Sequence, residues 1–284
     1  MLPLARRRLG VPLPIAAAAA VAAPFGMAVA MPRTRARDAA VYGLQMWAYV
    51  VAHEVPNEDP GRLERRAFVD YPIRFDRAVF RCAPTVVLQR ALGRPGRTTA
   101  FDHALVYAHW AWFVQPHLAA AWILWRHPRR FPRAATMICA VFDIGLVGYF
   151  AVPTAPPWWA AEQGRIPGMR RIMAEVGERV WGRFWSPLYG FLGGNPLAAM
   201  PSLHFATSVM AARMLAETGR AAGAAGWTYA AVLGFALIYL GEHYVVDLAA
   251  GAVLAESVRR LGPHFAPALE AGAAGVRTLA RSAA

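Results

Sequence analysis

The sequence predicts an all-α, polytopic membrane protein, built as a bundle of six transmembrane helices. Hydrophobic residues fill 57% of its 284 positions, and they are concentrated in long runs rather than spaced along one face as in soluble helices. Several runs carry almost no charge and are long enough to cross the ~30 Å hydrocarbon core of a bilayer. Arginine clusters stand at their ends, where transmembrane helices commonly carry positive charge.

The positive charge of the chain comes from arginine alone. The formal net charge is +13, and the sequence contains no lysine. The arginines flank apolar runs and form no basic face of a soluble fold, so we expect no nucleic-acid partner. Cys82 and Cys139 are isolated in the sequence, which argues against a disulfide framework and against a cysteine metal site. We expect no cofactor.

Residues 1–102 are predicted to form a membrane anchor or signal, followed by an interfacial and extramembrane segment. Arginines at positions 6–8 precede an Ala-rich run. This run is either a first transmembrane helix with the arginines on the cytoplasmic side, or a secretory signal cleaved near the small residues 28–30. Both alternatives leave the following chain outside the cytoplasm. Residues 38–55 suit an amphipathic helix at the interface, and residues 56–102 an extramembrane segment without a catalytic pattern.

Residues 103–262 are predicted to form the catalytic bundle, and residues 263–284 a cytoplasmic tail. Four arginines between positions 126 and 133 form the strongest cytoplasmic signal. The loop 153–200 should therefore be extracytoplasmic. The predicted spans after the first cover about residues 103–125, 134–152, 201 onward, 226–240 and 245–261.

Two histidines are predicted to meet at the extracytoplasmic face. His204 and His243 are separated by an apolar segment, a short turn and a second apolar segment. Each apolar segment is about long enough to cross the bilayer at 1.5 Å per residue. A chain that crosses and returns brings both histidines to the face that it left. Asp247 follows His243 by one helical turn on the same face, so we expect a catalytic cluster of two imidazoles and a carboxylate.

The start of the fourth span suits a phosphate group. Pro201 fits the first turn of a helix, where its missing N–H costs nothing, and Ser202 brings a hydroxyl that can contact the substrate. The unpaired N–H groups of a helix start attract anions. Asp247 would fix the tautomer of His243 and leave its other nitrogen as a nucleophile, while His204 would protonate the leaving alkoxide. No second carboxylate completes a zinc-site spacing, so we expect no metal.

At these residues the sequence resembles the type 2 phosphatidic acid phosphatase superfamily of membrane lipid phosphatases and phosphotransferases. "PSLH", which ends at His204, resembles its second motif, and "YLGEHYVVD", with His243 and Asp247, resembles its third. "VPTAPPWWA" at residues 152–160 and "AAMPSLHFA" are similar to the inositol phosphorylceramide synthase branch. The resemblance covers about residues 103–251. It implies the six-helix fold of these enzymes, a phosphohistidine on His243, a phospholipid or other lipid-phosphate donor, and an alcohol or water acceptor.

The sequence departs from the superfamily pattern in its basic residues. The first motif, a Lys followed after six residues by Arg-Pro, is absent, and Ala236 and Leu237 replace the Ser-Arg that opens the third. Because this phosphate clamp is missing, other cations must balance the substrate charge. We expect Arg170 and Arg171 to fold over the site, since a Pro-Gly pair just before them can turn the loop back toward the membrane. Further candidates in this loop are Arg165, Arg179 and Arg183.

Polar residues inside the predicted spans allow two interpretations. Asp143 lies near the middle of the third span, where a carboxylate is expensive. It either pairs with a neighbouring helix or belongs to the acceptor pocket. His109 and His117 lie on nearly one face of the second span, where hydrogen bonds between helices are their expected role.

The sequence leaves three functions open. A transferase that moves a phosphoryl group or phospho-headgroup from a lipid to an alcohol is favoured. The same site could hydrolyse phosphatidate or a polyprenyl (di)phosphate, because the acceptor only has to reach the phosphohistidine. A protein that binds or transports lipids without catalysis is the third alternative. In each case we expect a multi-pass protein of the cell membrane, with its site on the extracytoplasmic side.

Overall fold

The computed structural model describes residues 10–53, 55, 59–188 and 195–282, and these residues are mostly helical. The arginines at positions 6–8 lie outside the described residues. The principal α-helices are α1 Leu13–Ala30, α2 Arg35–His53, α3 Pro60–Arg66, α4 Asp70–Phe80, α5 Pro84–Leu92, α6 Ala100–Ala111, α7 Gln115–Arg126, α8 Phe131–Ala151, α9 Pro157–Glu162, α10 Ile172–Trp181, α11 Leu203–Ala216, α12 Arg220–Tyr239 and α13 Val245–Ser282. The described part contains isolated β-bridges but no strand. The all-α prediction is confirmed.

Three of the described helices, α1, α8 and α12, are long and apolar enough to cross a membrane. The other predicted spans take different forms. The second is divided between α6 and α7, and the fourth is the 14-residue α11. The sixth is the first part of α13, which continues through Pro263 and Pro267 as far as Ser282. These helices support a membrane protein, while the count of six spans stays a prediction.

α2 lies along the whole length of α8, although its sequence predicts an interfacial helix. The two helices touch at three depths: Tyr42 with Phe131, Gln45 with Asp143, and His53 with Tyr149. Gln45 Nε2 donates to Asp143 Oδ2 at 2.9 Å, so the intramembrane carboxylate pairs with a neighbouring helix. A helix lying flat at the interface would meet only one end of α8. The low hydropathy of α2 has a simple cause, because its polar side chains find partners inside the bundle.

The two ends of the bundle differ in their connections. Because α2 and α8 run parallel, both helices begin at the same end, here called the far end, and finish at the other. The far end carries the short turns 31–34, 127–130 and 217–219. Two of these turns are joined where the Arg133 guanidinium donates to Glu217 at 3.2 Å. The other end, here called the site end, carries the long connections and both histidines of the expected cluster.

The first span runs opposite to the direction that the arginines at 6–8 predict. Arg37 Nη2 donates to the carbonyl of Ala28 at 2.6 Å, so the end of α1 meets the start of α2. Because α2 is parallel to α8, this meeting point lies at the far end. The sequence predicts that the chain after the first span lies on the opposite side of the membrane from the arginines between 126 and 133. The structure instead places the arginines at 33, 35 and 37 at the same end as that cluster.

A local break separates α6 from α7. Pro116 stands at the start of α7, and it lacks the N–H that would bond to the carbonyl of Trp112 in a continuous helix. The chain makes tight turns instead, in which the N–H groups of Trp112 and Val114 donate to the carbonyls of His109 and Ala111 at 3.1 Å each. The break ends α6 inside the bundle, with His109 and Trp112 in its last turn.

Glycines let two helices approach the start of α11 closely. A Cβ atom on Gly148 of α8 would lie 2.6 Å from the ring of Pro201. One on Gly251 of α13 would lie 2.5 Å from the carbonyl oxygen of Ser202. Helices in membranes commonly pack through such small residues. The segment that leads to His204 is therefore fixed between α8 and α13.

Candidate active site

The two histidines lie side by side at the site end. Nδ1 of His204 is 3.2 Å from Nε2 of His243, a distance at which one nitrogen can donate to the other. His204 lies in the first turn of α11, and His243 lies in the short connection between α12 and α13. The hairpin of α11 and α12 crosses the bundle and returns, which joins residues 39 positions apart. The structure thus brings the histidines together as the sequence predicts.

Asp247 supports His243 from the first turn of α13. Its Oδ2 lies 3.4 Å from Nδ1 of His243, and this oxygen also accepts the backbone N–H of Tyr244 at 2.9 Å. The side chain of Asp247 is 0% exposed. Its backbone carbonyl accepts the N–H of Ser202 at 3.0 Å. Asp247 therefore joins both halves of the site, the connection that bears His243 and the start of α11.

Ser202 caps the helix that carries His204. Its buried side-chain oxygen accepts the backbone N–H of Phe205 at 3.3 Å, as expected for a serine at an N-cap. The helix itself begins at Leu203, two residues after Pro201. The hydroxyl hydrogen can still donate, so a contact between Ser202 and the substrate stays a prediction.

Rings enclose His204 on two further sides. The ring centroid of Trp112 lies 4.0 Å from that of His204, and the centroid of His109 lies 4.8 Å from it. The indole N–H of Trp112 donates to Thr207 Oγ1 at 2.9 Å, one turn along α11. This hydrogen bond holds the indole against His204.

His109 and His117 differ in their surroundings, although the sequence predicts one role for both. Nδ1 of His117 is 2.8 Å from the hydroxyl of Tyr42, which joins α7 to α2. His109 has no such bond to a neighbouring helix among the described residues, and its ring lies against His204. The sequence does not distinguish them, because spacing on one helix face shows nothing about which helix packs there. The one available signal is Pro116, since it breaks the helix beside His109.

Arg170 is bound to α10, to α5 and to the connection between α5 and α6. Its guanidinium donates to Glu175 and to the carbonyls of Arg94 and Arg97, the last two at 2.7 and 3.2 Å. Its backbone N–H donates to Gln89 Oε1 at 2.8 Å. The hydrogen bond to Glu175 raises the pKa of Arg170 by stabilising its charged form. None of these contacts brings Arg170 to the histidine pair.

Arg171 lies beside the connection that bears His243. Its Nη1 is 2.5 Å from Glu162 Oε1, and its guanidinium carbon lies 4.0 Å from the centre of the Trp158 ring, within the range of a cation–π contact. The backbone N–H of Trp158 donates to the carbonyl of Gly241 at 2.9 Å. Trp158 therefore links Arg171 to the connection that bears His243.

Side chains of α5 hold one end of residues 238–247, here called the histidine turn. Thr85 Oγ1 donates to the carbonyl of Ile238 at 2.7 Å, and Gln89 Nε2 donates to that of Tyr239 at 2.9 Å. Both carbonyls end α12, where helical hydrogen-bond partners run out. The position of the turn thus depends on residues about 150 positions earlier in the chain.

Asp76 of α4 holds the other end of the histidine turn. Its carboxylate oxygens accept the N–H groups of Val245 and Val246 at 3.1 and 3.4 Å. These groups open α13 and have no partner within the helix. Burial raises the pKa of Asp76, and the charge of Asp247 adds to this, whereas the two N–H bonds lower it. Residues 56–102 carry no catalytic pattern, yet they position the candidate site.

The arrangement can support acid–base and nucleophilic chemistry. A buried carboxylate lies 3.4 Å from Nδ1 of one imidazole, and a second imidazole lies at hydrogen-bond distance from its Nε2. Such a pair provides a nucleophile and a group that can give and take a proton. Within the described residues, no three His, Cys, Asp or Glu side chains are grouped so as to hold a metal ion.

Comparisons with known proteins identify the family of the chain. A family model described as "PAP2 superfamily" matches residues 73–258. Phosphoinositol dihydroceramide synthase of Bacteroides thetaiotaomicron is 28% identical over an alignment of 153 residues, and the match covers 49% of this chain and 48% of that protein. The chain therefore spans about half the length of this curated relative. No solved structure gives a significant match. The family match includes Asp76 as well as His204 and the histidine turn.

Proposed function

The chain belongs to the PAP2 superfamily, and from this premise we propose that it transfers a phosphoryl group or phospho-headgroup from a lipid donor to an alcohol acceptor. The resemblance stated from the sequence is thereby confirmed at the level of the family. One observation carries the proposed reaction: Nδ1 of His243 faces Asp247 while its Nε2 faces His204. This arrangement suits a nucleophile with an orienting group on one side and a proton donor on the other.

The first half-reaction forms a phosphohistidine. Asp247 keeps the proton of His243 on Nδ1, so Nε2 carries the free electron pair that attacks phosphorus. A bond forms between Nε2 and phosphorus, and the bond from phosphorus to the lipid oxygen breaks. The leaving oxygen takes its proton from His204. Proton transfer of this kind typically contributes about 10²- to 10⁴-fold to a rate.

The second half-reaction returns the enzyme to its starting state. An acceptor hydroxyl attacks phosphorus and gives its proton to His204, and the bond between phosphorus and His243 breaks. The phospho-headgroup leaves on the acceptor. With water as the acceptor, the same steps hydrolyse the donor. Lipid phosphate hydrolysis is therefore the second candidate function.

The curated relative indicates which substrates to test first. Its name joins phosphoinositol to dihydroceramide. We propose a phospholipid with a phosphoinositol headgroup as donor, and a long-chain alcohol of the ceramide type as acceptor. The similarity of residues 152–160 to the inositol phosphorylceramide synthase branch supports the same choice.

We propose that the site lies on the extracytoplasmic side of the membrane. The short turns of the far end are rich in arginine, at positions 33, 129 and 130. Arg213 and Arg220 flank the third short turn. Short basic loops near helix ends stay in the cytoplasm, whereas long segments are much less constrained by their charge. This assignment puts the long segments of the site end outside.

Reconstituted full-length protein tests the reaction. Phosphatidylinositol labelled with ³²P is supplied with or without dihydroceramide, and phosphatidate serves as a second donor. A chelator is present throughout, since the proposed chemistry uses no metal. We expect acceptor-dependent transfer, an acid-labile labelled protein, and loss of both in His243→Ala. His264→Ala, an exposed histidine on α13, is the matched control.

The outcomes separate the candidate functions. Label released only as water-soluble phosphate or inositol phosphate, unchanged by the acceptor, indicates a hydrolase. Turnover that survives in His243→Ala contradicts the assignment of the nucleophile. Lipid binding without turnover of any donor in the wild-type protein indicates a non-catalytic lipid-binding or transport protein.

A further inference from the structure

His109 is a buried histidine that the proposed reaction does not use. Its side chain is 6% exposed, yet neither Nδ1 nor Nε2 has a hydrogen-bond partner within residues 10–53, 55, 59–188 and 195–282. Buried polar groups are nearly always hydrogen-bonded, and one without a partner lowers stability. The imidazole of His109 therefore has an N–H that a bound molecule could accept.

The ring of His109 lies against the catalytic pair. Its centroid is 4.8 Å from that of His204, with the two planes 32° apart. The His204 centroid is in turn 5.3 Å from that of His243. His204 is thus the middle one of three neighbouring imidazoles. Phe113, whose ring lies 6.5 Å from His109, offers it only an apolar contact.

A phosphate at His243 needs several hydrogen-bond donors, and the basic residues of the superfamily motifs are not there to supply them. The lysine and arginine of the superfamily's first motif are absent, and Ala236 and Leu237 occupy the Ser-Arg positions of the third. Arg170 donates to Glu175 and to the backbone carbonyls of Arg94 and Arg97 in the connection between α5 and α6. The nonbridging oxygens of a partly desolvated phosphate are costly to leave without partners. A neutral imidazole has one N–H to donate.

We propose that His109 binds the substrate by donating a hydrogen bond to a nonbridging oxygen of its phosphate. This inference rests on the proposed function and adds a substrate-binding residue to the site. His109 forms no covalent bond and exchanges no proton in this role. It acts on the phosphate that His243 attacks, beside His204.

Two substitutions separate hydrogen bonding from packing. His109→Phe preserves an aromatic ring but has no donor, whereas His109→Gln loses the ring and keeps an N–H. If His109 donates to phosphate, we expect Phe to lower kcat/KM for the donor by about 10-fold or more and Gln to lower it less. A packing role reverses this order, because Phe fits an apolar surrounding better than Gln.

A binding measurement makes the test independent of turnover. The full-length His243→Ala protein is titrated with inorganic phosphate, and the affinity is obtained from its thermal stabilisation. Adding His109→Phe should weaken this affinity by about 10-fold. His103→Phe, on the same helix but paired with Thr98, is the matched control and should leave the affinity unchanged. If the Phe variant does not fold, His109→Met replaces it as a variant without a donor.

The two proposals can fail separately. Equal phosphate affinity with and without the His109 donor overturns the role of His109, even if the protein is an active transferase. A loss of phosphate affinity confined to the variants that lack the donor supports it, even if no lipid donor is turned over. In that second case only the proposed reaction fails.

Discussion

Asp76 acts on the catalytic pair through the backbone. It accepts the first N–H groups of α13, the helix whose first turn contains Asp247. An anion at a helix N-terminus also interacts favourably with the helix dipole. Without Asp76, the histidine turn loses its anchor at the end closest to His243. The pair would then deviate from the geometry on which a preorganised site depends.

Replacing Asp76 should therefore affect the chemical step more than substrate binding. We expect Asp76→Ala to lower kcat by about 10- to 100-fold, since small misplacements of reacting groups have effects of this size, while KM changes little. Asp76→Asn keeps an acceptor oxygen and should recover part of kcat. Steady-state kinetics on purified protein measures both. Asp59→Ala, which removes the side-chain cap of α3, is the control and should leave kcat unchanged.

The same carboxylate predicts a dependence of stability on pH. Its pKa is raised in the folded protein, so the folded state binds the proton more tightly than the unfolded chain does. The part of the stability that comes from this tighter proton binding is fully present below the unfolded pKa of Asp, about 3.9, and is lost as pH rises through the folded pKa. Asp76→Asn has no ionisable group at this position and does not lose this stability. The difference between its Tm and that of the wild-type protein should therefore increase with pH between the unfolded and the folded pKa of Asp76. A constant difference between the two proteins would contradict the raised pKa.

The two loop arginines should respond differently to substitution. Arg171 is linked to the histidine turn through Trp158, and Arg171→Gln should raise the donor KM by about 10-fold, as for the loss of a charged hydrogen bond. Arg171→Lys should recover only part, because an ammonium cannot bind two oxygens in the manner of a guanidinium. Arg170→Gln should lower Tm with little change in KM, since Arg170 is tied to Glu175. The opposite pattern would identify Arg170 as the residue that contacts the donor.

At the scale of the helices, the contact between α13 and the start of α11 places a glycine directly against a backbone carbonyl. Gly251→Ala would press a methyl group against the Ser202 carbonyl and move α13 away from α11. We expect lower Tm and lower kcat, although alanine favours a helix over glycine by about 1 kcal/mol. Gly272→Ala on the same helix meets nothing within 4 Å and should be neutral or stabilising. Equal effects of the two substitutions would show that the contact does not restrict α13.

At the scale of the whole molecule, the parallel arrangement of α2 and α8 defines the two ends of the bundle, and the arginines of the far end predict that this end is cytoplasmic. In a protein with Cys82 and Cys139 replaced by serine, a cysteine at Gln163 should react with a membrane-impermeant reagent in intact cells. A cysteine at Gly219, in a short turn of the far end, should react only after permeabilisation. The sequence suggests a probe near Gly194, but that residue lies outside the described residues. The reverse labelling pattern would place the site in the cytoplasm.

The histidine pair could be predicted from the sequence because it follows from the length of the apolar segments between the two histidines and from helical spacing. Two apolar segments between His204 and His243 must return the chain to one face, and the spacing to Asp247 follows from the helical repeat. The same short motifs carry the resemblance to a known family, and the family model matches residues 73–258. The structure adds distances to this prediction and leaves its logic unchanged.

The supporting residues could not be predicted, because their causes are distant in the chain. Asp76 and Thr85 look like ordinary polar residues until α4 and α5 are seen against the histidine turn. α2 looks interfacial because Gln45 lowers its hydropathy, and only the partner Asp143 explains that side chain. His109 has no sequence feature that separates it from His117. Pairing between distant helices decides all of these cases.

The dependence of the histidine turn on α4 and α5 also sets an order of events during synthesis. Thr85 leaves the ribosome 153 residues before Ile238, the residue whose carbonyl it binds. Until α12 and the start of α13 enter the membrane, Asp76, Thr85 and Gln89 have no partners in that turn, and His204 lacks its neighbour. The reactive centre is therefore among the last parts of the described molecule to assemble. A chain interrupted before that point stays inert toward the lipids around it and exposes unpaired polar groups that quality-control proteases can recognise.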